Sequence, residues 1–268
     1  MRETDFARHL TGFLSKYLPG QRNLSANTIT SYRDAFKLFL IFCKTEKKRK
    51  VDRLKLADIS GELVAEYLLW LEKQRDCSIS TRNQRLAAFR SFFHYVSMAA
   101  PEMLLSCQKI FNIPMKKNSR RIMDYFSPEG LHLLLQQPDT LTRQGRRDYT
   151  ILVLLYDSAA RVQEISDLCV RDVRLENPAT ITLHGKGRKI RIVPITSETI
   201  VIIKRYFHEK GWFGKTGFLD FPVFMNSQQL KLSRAGIAHI LGKYVESARR
   251  INEGLIPKTV SPHTLRHS

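Results

Sequence analysis

The sequence predicts an α+β fold, mainly α, with an N-terminal helical domain and a C-terminal mixed α/β domain around a small antiparallel β-hairpin. Three observations lead to this prediction. Apolar side chains recur at helical spacing through most of both halves. Only 180–183 and 190–195 have the pattern of strands, and a glycine-containing turn joins them. Between the halves, residues 113–126 show no clear period and are rich in basic residues, so we predict domains at 1–112 and 127–268 joined by this linker.

The N-terminal domain is predicted to contain three helices and a short fourth one. Apolar residues fall on one helical face in 27–43, 60–75 and 80–97, and the fourth helix follows Pro101. The charged loop 44–50, which carries five basic residues, joins the first two helices. This loop is either a solvated connector or a phosphate contact, and the sequence favours neither.

The C-terminal domain is predicted to begin with a helix that Ser127 caps and Pro128 opens. A strongly apolar, buried helix is expected at 147–158. After the two strands, further helices are expected at 197–209 and 234–250, because their apolar residues keep the helical period.

The last predicted helix starts at Ser261, which is followed by Pro262. The chain ends seven residues after that cap. Because helices normally run for three to four turns, we expect this domain to be incomplete at its C-terminus.

The net charge of the chain is +19, with a pI near 10.0, and the excess of basic residues is shared by both halves. Solubility alone rarely needs so much charge of one sign. Each phosphate that a basic side chain neutralises releases counterions and adds affinity. The charge therefore predicts a polyanionic partner, with a generally basic surface as the alternative.

Several classes of protein are excluded by missing motifs. The four cysteines have no zinc-ligand spacing. The sequence also shows no phosphate-binding loop for ATP and no acidic cluster suited to two metal ions. We therefore expect no cofactor. The first 25 residues do not resemble a signal peptide, and the longest apolar run is too short to span a bilayer. We expect a cytoplasmic protein that does not contact a membrane.

Arg161 and Lys186 are the first two candidates for chemistry. Arg161 directly follows the buried helix, and Glu164 could hold its guanidinium in a bidentate pair. The alternative is a purely structural ion pair. Lys186 lies between Gly185 and Gly187 at the hairpin tip, where a lysine can donate a proton or contact a phosphate. For a hairpin considered in isolation, a solvated tip is the simpler explanation.

His263 and Arg266 are the other two candidates. They lie three residues apart and so share a face of the last helix. They also lie near its N-terminus, where free N–H groups attract anions. The pair predicts a phosphate site, and the alternative is an ordinary capped helix start.

Taken together, these segments resemble the tyrosine recombinase/phage integrase family, which includes Xer-type recombinases and integrases of mobile elements. LLYDSAARVQEISDL resembles the family's first arginine box, HGKGRKIRIVPI its lysine-bearing hairpin, and SPHTLRHS its H-x-x-R box. LSRAGIAHIL resembles the helix before that last box. SANTITSYRDAFKLFLIFC and STRNQRLAAFRSFFHY resemble its SAM-like core-binding domain, which binds DNA. The resemblance covers nearly the whole chain, in the family's order.

The resemblance implies a site-specific recombinase or integrase that cleaves and rejoins DNA through a 3′-phosphotyrosyl intermediate. Arg161 and Arg266 would stabilise the scissile phosphate in the transition state. Lys186 would protonate the departing 5′ oxygen, His263 would assist proton transfer, and Glu164 would support the site. Its partners would be double-stranded DNA with an inverted-repeat core site and, when the protein is complete, other protomers in dimers or tetramers on DNA.

Two features depart from the family's pattern. The first arginine box often has Gly where this chain has Ala159, which would be strained by about 1 kcal/mol if its φ is positive. None of the nine tyrosines follows Arg266, and Tyr244, the nearest one upstream, lies in an apolar helical stripe. We therefore expect the chain as given to bind DNA without cleaving it.

Further side chains are candidates for DNA contacts, because Asn and Arg read base edges and basic or hydroxyl groups also contact phosphates. These candidates are Thr30, Arg33, Arg82, Asn83, Arg85 and Arg188. Three alternative functions remain open. The chain could be a non-catalytic DNA-binding paralogue that occupies or regulates recombination sites, a type IB topoisomerase, or a structural RNA-binding protein.

Overall fold

The computed structural model describes almost the whole chain, namely residues 3–118, 124–185, 187 and 189–268. The chain forms two compact units, Met1–Arg120 and Arg121–Ser268. The division falls inside the segment 113–126. Each unit has its own hydrophobic core.

The N-terminal unit is helical throughout its described secondary structure. Its elements are α1 (Asp5–Gly12), a π-helix (Phe13–Gln21), α2 (Ala26–Thr45), α3 (Gly61–Lys73), α4 (Ile79–Ala99) and α5 (Leu104–Phe111), with 3₁₀ turns at Val51–Arg53, Leu56–Asp58 and Pro101–Met103. The three predicted helices and the short fourth one are confirmed. The sequence pattern did not predict α1 or the π-helix.

Serine caps and aromatic packing explain how α2 and α4 form and meet. Ser25 and Ser78 each accept the backbone N–H three residues further on, which satisfies a free donor at each helix start. Phe36 of α2 then packs against Phe89 and Phe92 of α4, with ring centroids 4.7 and 5.0 Å away. All three rings are buried, so the two apolar stripes form the centre of this core.

The π-helix extends the same aromatic core. Phe13 is fully buried, and its ring centroid lies 5.9 Å from that of Tyr17 and 5.3 Å from that of Phe92, in an edge-to-face arrangement with Phe92. Phe13 and Tyr17 lie four residues apart and so share one helical face, and Leu18 follows directly. Pro19 and Gly20, which disfavour a helix interior, interrupt the sequence pattern before the segment ends.

The C-terminal unit combines helices with one small sheet. Its elements are α6 (Pro128–Leu135), α7 (Arg143–Asp157), α8 (Val162–Asp167), β1 (Val173–Arg174), β2 (Thr180–His184), β3 (Ile190–Pro194), α9 (Ser197–Glu209), α10 (Arg234–Ile251) and α11 (Pro262–His267), with 3₁₀ turns at Val170–Asp172, Thr216–Phe218 and Glu253–Leu255. The predicted α+β, mainly α class is confirmed. Neither α8 nor β1 was predicted.

The sheet is antiparallel, in the order β1-β2-β3. Strand β2 pairs with β3 so that Leu183 lies opposite Arg191 and His184 lies opposite Ile190. The two strands form the predicted hairpin, and the backbone N–H of Gly185 closes its tip by donating to the carbonyl of Lys189 at 2.7 Å.

Helix α7 is the central element of this unit. The residues from Ile151 to Leu155 are buried, and the helix packs against α8, α9 and α11. The C-terminal end of α7 leads into the turn that carries Arg161. Helix α11, which carries Arg266, packs against α7. None of the described helices has the length and apolarity that a membrane crossing requires.

Candidate active site

Arg161 stands at the sharp reversal between α7 and α8. After α7, Ala159 adopts a left-handed φ of +46° and donates its N–H to the carbonyl of Tyr156 at 3.2 Å. Any residue with a Cβ is strained in this conformation. The positive φ considered for Ala159 is therefore present. The chain turns through it and leaves Arg161 as the first residue before α8.

Glu164 holds Arg161 in place from within α8. Its Oε2 accepts the backbone N–H of Arg161 at 2.7 Å, and its Oε1 accepts Nη1 of the same residue at 3.0 Å. Arg191 on β3 donates Nη1 to Oε1 at 2.7 Å and Nη2 to Oε2 at 2.8 Å. One buried carboxylate thus receives four hydrogen bonds from two arginines.

The charges of this cluster favour an anion. Burial by itself would raise the pKa of Glu164, but hydrogen bonds from Arg191 and Arg161 lower it to about 2. Glu164 is therefore ionised at neutral pH, and with two guanidinium groups the cluster keeps one positive charge. The side chain of Arg161 is 48% exposed, so part of its guanidinium is open to a ligand.

The hairpin tip lies beside this cluster. A Cβ on Gly185 would lie 3.1 Å from Oε1 of Glu164 and 3.3 Å from the carbonyl of Lys189, so only glycine permits this close approach without a shift. The predicted residues Lys186 and Arg188 lie outside the described residues. Gly185, the residue before Lys186, is placed next to Arg161, whose Nη1 would lie 3.7 Å from a Cβ at that glycine.

Helix α11 presents His263 and Arg266. Thr264 and Leu265 are buried and anchor the helix, while His263 is exposed. Nη1 of Arg266 is buried and has no hydrogen-bond partner among the described residues. A buried donor without an acceptor costs free energy, so this guanidinium is suited to an anionic ligand.

Arg191 is a candidate that the sequence analysis missed. In strand β3, Ile190 and Ile192 alternate with Arg191 and Val193. Because a half-buried strand turns its apolar residues towards the core, this pattern predicts that the two isoleucines are buried. The structure has the opposite arrangement: Ile190 and Ile192 are 63% and 66% exposed, while Arg191 lies opposite buried Leu183. One signal in the sequence did favour the observed arrangement: Val193, an apolar residue, lies on the same face of the strand as Arg191.

Three of the candidates for DNA contacts, Arg82, Asn83 and Arg85, have partners inside the protein. Arg82 is only 5% exposed and donates to the carbonyl of Pro114 at 2.8 Å. The amide of Asn83 donates to the carbonyl of Lys116 at 2.8 Å and accepts its N–H at 3.1 Å. Arg90 donates to the carbonyl of Ile113. We call Arg82, Asn83 and Arg90 the α4 clamp, because they fasten the chain that follows α5.

These environments bear on the predicted DNA contacts, which stay predictions. Arg82 is only 5% exposed, so little of its guanidinium is open to a base, and Asn83 uses its amide oxygen and one amide N–H on Lys116. Arg85 donates to the carbonyl of Ser31 at 2.8 Å, which ties α4 to α2. Thr30 and Arg33 are exposed on α2 and keep the access that a DNA contact requires.

Two further groups bear on the chemistry. Tyr244 is buried, as predicted, and its hydroxyl donates to Asp148. Burial and the neighbouring Asp148 carboxylate raise its pKa, which disfavours the ionised, nucleophilic form. Within the described ranges, no group of three or more His, Cys, Asp or Glu side chains is placed to hold a metal ion.

Two family models match the chain. The model described as the phage integrase family matches residues 124–268, and the model of the phage integrase N-terminal SAM-like domain matches residues 10–98. A Sinorhizobium fredii protein named as an integrase/recombinase, y4rD, is 33% identical over 259 residues, which are 96% of this chain and 91% of that protein. Tyrosine recombinase XerC of Pelobacter propionicus is 29% identical over 252 residues, covering 94% of this chain and 77% of the relative.

Solved structures share the fold. The XerH site-specific recombinase in a post-cleavage complex with palindromic difH DNA has a TM-score of 0.67 at 23% identity, covering 92% of this chain and 68% of that one. A lambda integrase dimer bound to a COC' core site has a TM-score of 0.68 at 10% identity, covering 97% and 86%. At these identities the likeness concerns the fold.

Proposed function

This chain belongs to the phage integrase family of tyrosine recombinases, and we propose that it binds a specific duplex DNA site and holds the scissile phosphate between Arg161 and Arg266. The observation that carries the proposal is the buried Nη1 of Arg266, which has no acceptor among the described residues. A phosphate oxygen is the acceptor that the family's chemistry supplies. Arg161, fixed by Glu164 and half-exposed, provides the second guanidinium.

The proposed roles follow from charge and position. The two arginines stabilise the negative charge that grows on the phosphate oxygens as phosphorus becomes pentacoordinate. A tyrosine oxygen bonds to phosphorus while the 5′ oxygen leaves, and Lys186 gives that oxygen its proton. His263 assists proton transfer from the nucleophile. The phosphotyrosyl bond keeps the energy of the broken phosphodiester, so this strand transfer needs no ATP.

We further propose that the nucleophile is none of the buried tyrosines of this chain. The Tyr244 hydroxyl is hydrogen-bonded to Asp148, the Tyr206 hydroxyl to the carbonyl of Val223, and Tyr67 lies in the core of the N-terminal unit. Site DNA is therefore expected to bind without forming a covalent adduct at Tyr67, Tyr206 or Tyr244. Incubation with a nicked duplex site, followed by denaturing electrophoresis, measures the adduct.

The DNA partner is supported by charge as well as by family. The net charge of +19 is spread over both units, and exposed Thr30 and Arg33 remain proposed contacts on α2. We propose that the preferred site consists of inverted repeats, each bound by one protomer. This arrangement would place two protomers on one core site.

Selection from a random duplex pool at near-physiological salt tests the proposal. We expect recovery of a defined sequence arranged as inverted repeats around a short spacer. The variant with Arg161→Gln and Arg266→Gln should bind the selected site more weakly and with a smaller salt dependence, by about 0.9 log units for each phosphate that is no longer neutralised. Recovery of no preferred sequence would overturn site-specific binding. Equal affinity of the double variant would overturn the phosphate roles.

A further inference from the structure

Arg191 takes no part in the reaction proposed above, yet it is tightly bound at the site. It lies on β3 and donates two parallel hydrogen bonds, of 2.7 and 2.8 Å, to the two oxygens of Glu164. Glu164 is 3% exposed, and the Arg191 side chain is 36% exposed. This is the bidentate arrangement that makes arginine–carboxylate pairs strong and directional.

Both arginines form hydrogen bonds to Glu164. Each carboxylate oxygen accepts one hydrogen bond from Arg191 and one from Arg161. Only the backbone N–H and Nη1 of Arg161 contact Glu164. Arg191, by contrast, uses both of its terminal nitrogens, so it is the residue that fixes the plane of the carboxylate.

The balance of charge gives Arg191 a consequence beyond packing. With both arginines present, Glu164 is neutralised by Arg191, and the charge of Arg161 remains available to a phosphate. Without Arg191, the buried carboxylate would have Arg161 as its only partner in this cluster. The local charge would fall from +1 to zero, and Glu164 would compete with the phosphate for the Arg161 guanidinium.

Arg191 also joins two elements of the site. It connects β3, one strand of the hairpin whose tip carries Lys186, to α8, which begins beside Arg161. Gly185 lies against the same carboxylate, since a Cβ at this position would be only 3.1 Å from Oε1. The hairpin and the phosphate-binding arginine are therefore held to one shared group.

We infer that Arg191 is a positioning residue for Arg161: it neutralises and orients Glu164, so that the Arg161 guanidinium stays free to bind the phosphate. This inference rests on the proposed function, since it assigns Arg191 to the same site. It differs from a purely structural ion pair, because it requires the effect of Arg191 to pass through Arg161.

A double-mutant cycle on DNA affinity tests this dependence. Arg191→Gln should weaken binding of the selected duplex by roughly tenfold, a coupling within the usual range for residues of one network. In an Arg161→Gln background, the same change should have an effect of less than about twofold. Arg174→Gln on β1 is the matched control, since Arg174 is an exposed arginine of the same sheet. Its effect should be equal in both backgrounds.

Rescue variants separate positioning from folding. Arg191→Lys keeps the charge but not the parallel pair, so it should recover only part of the affinity. Arg191→Met combined with Glu164→Gln removes both charges of the pair and should fold even where Arg191→Gln does not. We expect this pair to bind DNA more tightly than Arg191→Gln, because Glu164 no longer competes for Arg161.

Two results would overturn the inference. One is an equal loss of affinity for Arg191→Gln in both Arg161 backgrounds, which would indicate a direct DNA contact. The other is an Arg191→Met/Glu164→Gln variant that binds DNA no more tightly than Arg191→Gln does. If the wild-type chain selects no site, the proposed function fails separately. In that case the same variants are compared by how far inorganic phosphate raises their thermal midpoints, a measurement that requires no specific DNA sequence.

Discussion

The hydroxyl of Tyr244 donates a hydrogen bond of 3.0 Å to Oδ2 of Asp148, a carboxylate that is fully buried. Arg147 donates to the other oxygen at 2.9 and 2.7 Å. Tyr244→Phe removes one donor and leaves the carboxylate partly unsatisfied. We expect the free energy of unfolding to fall by about 1–3 kcal/mol, measured by urea denaturation. Tyr156→Phe, at an exposed tyrosine of α7, is the control. Lost DNA binding at unchanged stability would contradict this structural role for Tyr244.

Ala159→Gly should stabilise the protein. The left-handed φ of +46° strains alanine but not glycine, so the free energy of unfolding should rise by about 1 kcal/mol. Ala238→Gly, in an exposed position of α10, is the matched control and should lose about the same amount. Thermal denaturation measures both. A lower midpoint for Ala159→Gly would show that the strain is not relieved there.

Glu164 should make stability depend on pH in the acid range. Its pKa is lowered from 4.5 to about 2 in the folded protein. Because the folded pKa lies below the unfolded one, the ionised group favours folding above about pH 4.5, and this contribution disappears as the pH falls towards 2. The contribution is on the order of 3 kcal/mol.

Comparison with Glu164→Gln isolates this contribution. The variant carries no titrating group at this position, so its deficit in stability should be largest near pH 6 and shrink towards pH 3. Urea denaturation across this range is the measurement. Glu176→Gln, at an exposed position, should differ little from wild type at every pH. A deficit for Glu164→Gln that stays constant with pH would rule out the lowered pKa.

Arg266→Met should separate stability from binding. The variant removes a buried donor that has no acceptor among the described residues, so its free energy of unfolding should be equal to wild type or higher by about 1 kcal/mol. Inorganic phosphate should raise the thermal midpoint of the wild-type protein and leave that of Arg266→Met unchanged. A variant that is less stable, yet responds normally to phosphate, would show that Arg266 has a structural role only.

Arg82→Ala and Arg33→Ala should have opposite signatures. Arg82 is buried beside Glu72, so its loss should destabilise the protein by about 3 kcal/mol without changing the salt dependence of DNA binding. Exposed Arg33 should change stability by less than about 0.5 kcal/mol and lower the salt slope by about 0.9. Urea denaturation and DNA titrations at several salt concentrations distinguish them. The reverse pattern would support Arg82, rather than Arg33, as a DNA-binding residue.

Most of the fold could be predicted from the sequence because its signals are local. Ser25, Ser78 and Ser127 mark helix starts, and the apolar stripes that follow them keep one period. The π-helix was missed although Phe13 and Tyr17 lie four residues apart, because Pro19 and Gly20 interrupt the pattern. Strand β1 was missed because two residues are too few for an alternating pattern.

The site was predictable only as far as its residues carry a pattern along the chain. Arg161 and Glu164 lie three residues apart, so their pairing follows from helix geometry. The partnership of Glu164 with Arg191 spans 27 positions and depends on the strand register. Likewise, nothing in the sequence around Arg82 indicates Pro114, its partner in space.

The α4 clamp also determines where the polypeptide can be cut for study in pieces. A fragment that ends at residue 112 would discard the carbonyls of Ile113 and Pro114 and the peptide of Lys116, which are the partners of the clamp. Arg82 would then keep its buried charge without that carbonyl. A fragment that runs to residue 118 retains every one of these partners. We therefore expect a stable N-terminal fragment to include residues up to at least Lys116, beyond the point at which α5 ends.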